Sequence, residues 1–175
     1  MKKLLLIGLL AVSVSVSAQV QKGSTIIGTS LGNLSYNFET DVFSATLNPF
    51  AAKFVTDRLA IGGGATLGVV FVDGPALVAG VQPMARLYNK STAADRFFVQ
   101  AGAGVTSIIH GDADFYFSYN GGVGYNRFIN QNLALELGLQ FNGIATDEMV
   151  NGNNLALSLG VQVFLAKGER LFRRR

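Results

Sequence analysis

His110 is the only histidine in the chain, and Ser107, Asp112 and Asp114 stand close to it. These residue types can hydrolyse an ester if a base, a nucleophile and an orienting carboxylate are held in line. Here His110 falls in a connection between two strand-like segments, with no motif around it, so the expectation is that the protein is not an enzyme. Asp112-Ala113-Asp114 is too short for the spaced D-x-[DN]-x-[DN]-G ligands of a calcium loop. Gly62-Gly63-Gly64 and Gly102-Ala103-Gly104 do not complete G-x-G-x-x-G, and no Walker sequence follows a strand. Neither a metal nor a cofactor is implied. Nucleic acid is not expected either, because the aromatic residues 115–119 lack interleaved cations.

Two other charges deserve a structural explanation. Arg86 and Glu136 sit in segments of strict alternation, on the small and polar face rather than the apolar one. In the second segment, Leu133, Leu135, Leu137, Leu139 and Phe141 alternate with Ala134, Glu136, Gly138, Gln140 and Asn142. A period of two marks a β-strand with two different faces. The same alternation runs through Leu59–Phe71, Phe97–Val105 and Leu155–Leu165. Eight strands are predicted, near 24–34, 42–55, 59–72, 76–88, 97–109, 115–128, 133–143 and 154–166.

Charged residues make up only 14% of the chain, against roughly 25% in soluble proteins. Gly is abundant, with 21 residues, and Cys is absent, so stability must come from strand pairing and packing. Residues 1–18 read as a signal peptide: Lys2 and Lys3, an apolar run from Leu4, and Val16-Ser17-Ala18 before cleavage between Ala18 and Gln19. Residues 19–166 form the strand domain and residues 167–175 a basic tail. An exported chain with an apolar strand face and a charge-poor polar face is expected to point the apolar face at lipid. The all-β architecture is then an eight-stranded antiparallel up-and-down barrel in which Arg86 and Glu136 form an ion pair within the lumen.

The connections after odd strands carry Glu39, Asp41, Asp73, Asp112, Asp114, Asp147 and Glu148, while Lys22, Arg58, Lys90, Arg96 and the tail lie at the opposite rim. The basic rim holds the tight turns and both termini, which places it on the periplasmic side. Lys53-Phe54-Val55 before Leu59-Ala60-Ile61 echoes Arg127-Phe128-Ile129 before Leu133-Ala134-Leu135. Lys53 and Arg127 are read as outward cations snorkelling to the interface, where a cation costs about 0–1 kcal/mol instead of roughly 2–4 at mid-bilayer.

The signal peptide, the strands and these hairpins resemble the small outer-membrane β-barrel proteins, similar to the OmpA transmembrane domain and OmpX. Asn48-Pro49 through Ala60-Ile61-Gly62, and Gln82-Pro83-Met84-Ala85-Arg86-Leu87-Tyr88, carry the likeness. Ser158, Gly160, Val163 and Leu165 resemble the signal read by the barrel-insertion machinery, with Val and Leu in place of the usual aromatics and the chain continuing to Arg175. The resemblance implies a monomer among outer-membrane lipids, assembled by that machinery. It implies a structural, envelope-integrity or surface-contact role, with a lumen too full for a general pore. The alternatives are an adhesin or ligand binder acting through its acidic loops, and a lipid-modifying enzyme.

Overall fold

The computed structural model describes residues 20–37, 42–71, 74–90, 95–110, 112–145 and 153–167. The leader with its Ala18–Gln19 cleavage site, the tail beyond Lys167, and Glu39, Asp41, Asp73, Asp147 and Glu148 lie outside the described residues.

Eight antiparallel strands follow one another around a closed wall: β1 (Thr25–Asn37), β2 (Val42–Phe54), β3 (Leu59–Phe71), β4 (Pro75–Tyr88), β5 (Asp95–His110), β6 (Asp112–Phe128), β7 (Leu133–Ala145) and β8 (Asn154–Leu165). β8 pairs with β1, so no strand edge is left open. Closure satisfies every rung of the ladder within the wall, the condition for strands to cross lipid. Paired residues lead once around the wall from Leu165 through Thr25, Lys53, Ile61, Ala85, Ala101, Gly121 and Phe141 to Leu155, ten residues from the start. A stagger of about ten residues at ~3.3 Å each, against eight strand spacings of ~4.8 Å, tilts the strands by roughly 40°. A strand of 12 residues such as β8 then rises about 30 Å, the thickness of a hydrocarbon core.

Alternation stays in phase around the whole barrel. Every exposed large apolar residue from Leu31 to Val161 carries an odd number, and every buried apolar side chain from Val20 to Phe164 an even one. The physical reason is register: each strand pair joins residues of like parity, apart from one shift between Gly32 and Ser35 at the top of β1. The outward face is thus a continuous apolar belt, and the polar face encloses the lumen.

The alternation predicts β5 and β6 over 97–109 and 115–128. The structure extends both, to 16 and 17 residues, and the strands pair up to His110 and Asp112. His110 is therefore the last residue of a strand, not part of a loop. The extension at the other end of β5 has a second effect. The sequence puts Arg96 on the basic rim, but with Asp95 opening the strand its parity turns it inward, where it is only 6% exposed.

Candidate functional site: the floor of the lumen

At the end of the barrel that carries the tight turns, five strands bring an even-numbered aromatic residue inward. Phe54 ends β2, Tyr88 ends β4, Phe128 ends β6, and Phe98 and Phe164 lie near the same ends of β5 and β8. All five are buried and pack with Ile26, Ala52, Ala60, Ala134 and Val20 into one cluster inside the wall. Ring centroids are 5.4 Å apart for Phe54 and Tyr88, 5.6 Å for Tyr88 and Phe98, and 4.7 Å for Phe128 and Phe164. Val20 reaches this cluster because the segment before β1 is tied beneath it. Gly23 N donates to Phe54 O at 2.8 Å, and Lys22 N to Asp57 Oδ1 at 2.8 Å.

Directly above lies the charged layer. Arg86 Nη1 donates to Glu136 Oε2 at 2.7 Å, with both side chains almost wholly buried. Arg86 Nη2 donates to Gln100 Oε1, and Nη1 also reaches the Tyr88 hydroxyl. Gln162 Nε2 donates to Glu136 Oε2, and Asn126 Nδ2 donates to Gln162 Oε1 at 2.7 Å. Five strands thereby contribute to one network across the lumen. The guanidinium carbon of Arg86 sits 4.5 Å from the centre of the Phe50 ring and 4.0 Å from that of Phe98. A cation held between two ring faces is stabilised by both quadrupoles, and more so when water is excluded.

Glycines make room for these rings. Gly28 is the cross-strand partner of Phe50, and Gly124 that of Phe98. A Cβ at Gly28 would meet the Phe50 ring, and one at Gly124 the Phe98 ring. The arginine, its two aromatic walls and the two glycines form one packing unit drawn from five strands, β1, β2, β4, β5 and β6.

Above the floor the lumen opens into a cavity of about 240 Å³ lined by groups such as Thr46, Gln82, Asn120 and Gln140. Its side chains bond mainly to each other: Gln82 with Asn120, Thr106 with Ser118, Gln140 with Ser158. The floor is packed, while the part above is hollow, with apolar side chains such as Val70, Val78 and Ile108 between the polar ones.

The remaining sequence-predicted residues fall as follows. Lys53 is exposed on the outer face. Arg127 is also outward, but it pairs with Asp95 at 2.9 Å, and Asp95 accepts a bond from the Tyr125 hydroxyl at 2.7 Å. Ser158 and Gly160 face inward on β8, while Val163 and Leu165 face outward beside Leu133 and Thr25. Phe115 and Phe117 project outward, and Tyr119 packs against Phe117 and Phe141. Among the described residues, no three His, Asp or Glu side chains converge as metal ligands.

No family model matches the chain, and no curated protein matches it. Solved structures do. The N-terminal β-barrel domain of Pseudomonas aeruginosa OprF aligns over 82% of this chain and 98% of its own, at 15% identity and a TM-score of 0.55. Neisserial surface protein A aligns over 81% and 95%, at 11% identity and a TM-score of 0.60. The fold is that of the small eight-stranded outer-membrane barrels. A designed transmembrane β-barrel matches equally well, at 14% identity and a TM-score of 0.54. The likeness is therefore one of architecture, and the chemistry of this barrel has to be read from its own floor and rims.

Proposed function

We propose that the protein is an outer-membrane barrel with a structural or surface-contact role, closed to general passage and without enzymatic activity. The observation that supports this is the double floor: an aromatic cluster beneath a buried Arg86–Glu136 network that reaches across the lumen. A solute entering the upper cavity meets first a charge layer and then apolar side chains, with no continuous polar path below. In this reading the floor end is periplasmic. Val20 and Lys167 lie there, together with the tight turns at 56–58 and 130–132. Surrounding lipid and, during insertion, the assembly machinery are its partners. A wall closed by β8 on β1 suits a monomer.

The unequal strand lengths favour surface contact as a second reading. β5 and β6, with 16 and 17 residues, outgrow the 12–14 of the other strands. Their hairpin stands above the opposite rim, with Ala113, Asp114 and Phe115 exposed. Planar-bilayer recording of the full chain tests the closed lumen. Inserted protein without steady conductance is expected, and stable open channels in the unmodified protein overturn the reading.

A further inference from the structure

The belt is not uniform. On the outer wall a groove of about 620 Å³ crosses from β4 to β8. Its upper side is a row of cross-strand partners, Leu87, Val99, Val123, Leu139 and Leu157. The lower side is Phe97, Tyr125 and Leu137, where the Phe97 and Tyr125 rings lie tilted against each other with centroids 5.1 Å apart. Between the rows the side chains of Tyr88 and Phe98 turn inward and Gly124 and Gly138 have none, so backbone alone floors the groove. Because the strands tilt, the groove is inclined. Leu87 is next to the last residue of β4 at the floor-end rim, whereas Leu157 lies well up β8. Four inter-strand steps give it a length of about 19 Å.

The low end of the groove is polar and cationic. Arg58, exposed in the β2–β3 turn, lines it beside Asn89. The Nε of Arg58 donates to the Tyr88 carbonyl at 3.0 Å, which pins the guanidinium at the groove mouth. Asn89 is fixed across the β4–β5 connection, with its N bonded to Phe97 O and its Oδ1 accepting from Phe97 N. The same rim carries Lys22, Lys53, Lys90, Arg127 and Lys167, against only Asp57 and Asp95 among the described residues.

We infer that this groove is a binding site for one anionic glycerophospholipid of the leaflet at the floor end: an acyl chain lies between the two apolar rows, and the phosphate sits on Arg58 beside Asn89. A guanidinium whose Nε is already engaged presents its remaining N–H groups to a phosphate in a fork that a freely rotating ammonium does not offer. The apolar inclined trough takes a chain running from the interface toward the bilayer centre. The inference rests on the membrane-spanning reading above.

The test uses the full chain reconstituted in vesicles of phosphatidylcholine mixed with phosphatidylglycerol. The protein is extracted into mild detergent and its retained lipids are counted by native mass spectrometry. A heat-shift gel on the same vesicles reports insertion. One retained phosphatidylglycerol is expected, favoured over phosphatidylcholine by about fivefold. Arg58→Gln is expected to erase the preference. Val99→Trp, which fills the groove from its lipid-facing wall, is expected to lower retention of both lipids, and Lys53→Gln to change neither. Inserted protein with no preference, or an Arg58→Gln variant that keeps it, overturns this inference and leaves the membrane reading intact. A chain that inserts in no vesicle overturns both.

Discussion

Arg86 and Glu136 meet at 2.7 Å although they belong to β4 and β7, three strands apart around the wall. Each reaches the lumen from an even position, and the contact spans the barrel rather than bracing neighbouring strands. Removing one partner leaves the other charge buried and unpaired, which costs roughly 3–5 kcal/mol, while removing both avoids that penalty. Arg86→Ala and Glu136→Ala are each expected to lose stability on that scale, and the double variant less than the sum. Urea unfolding from lipid vesicles measures it. Additive losses would mean that the two residues act separately.

The glycines facing Phe50 and Phe98 give a second prediction. Gly124→Val puts a branched side chain where the Phe98 ring rests, and Gly28→Val does the same at Phe50. Overpacking of this kind costs about 1–3 kcal/mol and here also displaces the rings that flank Arg86. Gly63 is the control. It faces outward, and a Cβ there meets its nearest neighbour, the Gln82 carbonyl, at 3.4 Å. Gly63→Val is expected to stay within about 0.5 kcal/mol of the parent in the same unfolding assay.

Closure of the lumen is assigned to two stacked layers. Phe54→Ala with Phe98→Ala empties part of the lower layer and removes one ring from Arg86. Conductance is expected to remain near zero in that double variant and to appear when Arg86→Ala is added. Single-channel recording separates the cases. A double variant that conducts as well as the triple one would make the aromatic layer the only barrier.

The apolar belt predicts a depth-dependent response to charge. Leu139→Arg sits mid-strand on the lipid face and is expected to cost about 2–4 kcal/mol, while Leu165→Arg at the floor-end rim costs about 0–1. Equal costs, measured by refolding into vesicles, would contradict the placement of the belt.

What was legible in the sequence was whatever depends on parity alone. The alternation in residues 133–142 separates lipid face from lumen, and it puts Arg86 and Glu136 on the same inner surface. What depends on register was not legible. Phe50 opposite Gly28, and Phe98 opposite Gly124, become partners only once strands far apart in sequence are aligned. Asp95 is not legible as the partner of Arg127, because only the extra residues at the start of β5 bring it into the wall. The inward turn of Arg96 is hidden for the same reason. The aromatic floor did leave a signal: Phe54 and Phe128 occupy matching places in the two echoing hairpins. The cations of that echo face out, whereas its aromatics face in and close the barrel.

The central claim is that odd residues meet lipid and even residues the lumen. The chain has no cysteine, so single cysteines can be introduced without interference. Spin labels at 134, 135, 137, 138 and 139 in the full chain, reconstituted in vesicles, report collision with oxygen, which concentrates in lipid, and with a water-soluble nickel complex. High oxygen accessibility at 135, 137 and 139, with low values at 134 and 138, is the predicted result. Nickel accessibility at the odd positions, or oxygen accessibility at the even ones, would contradict it.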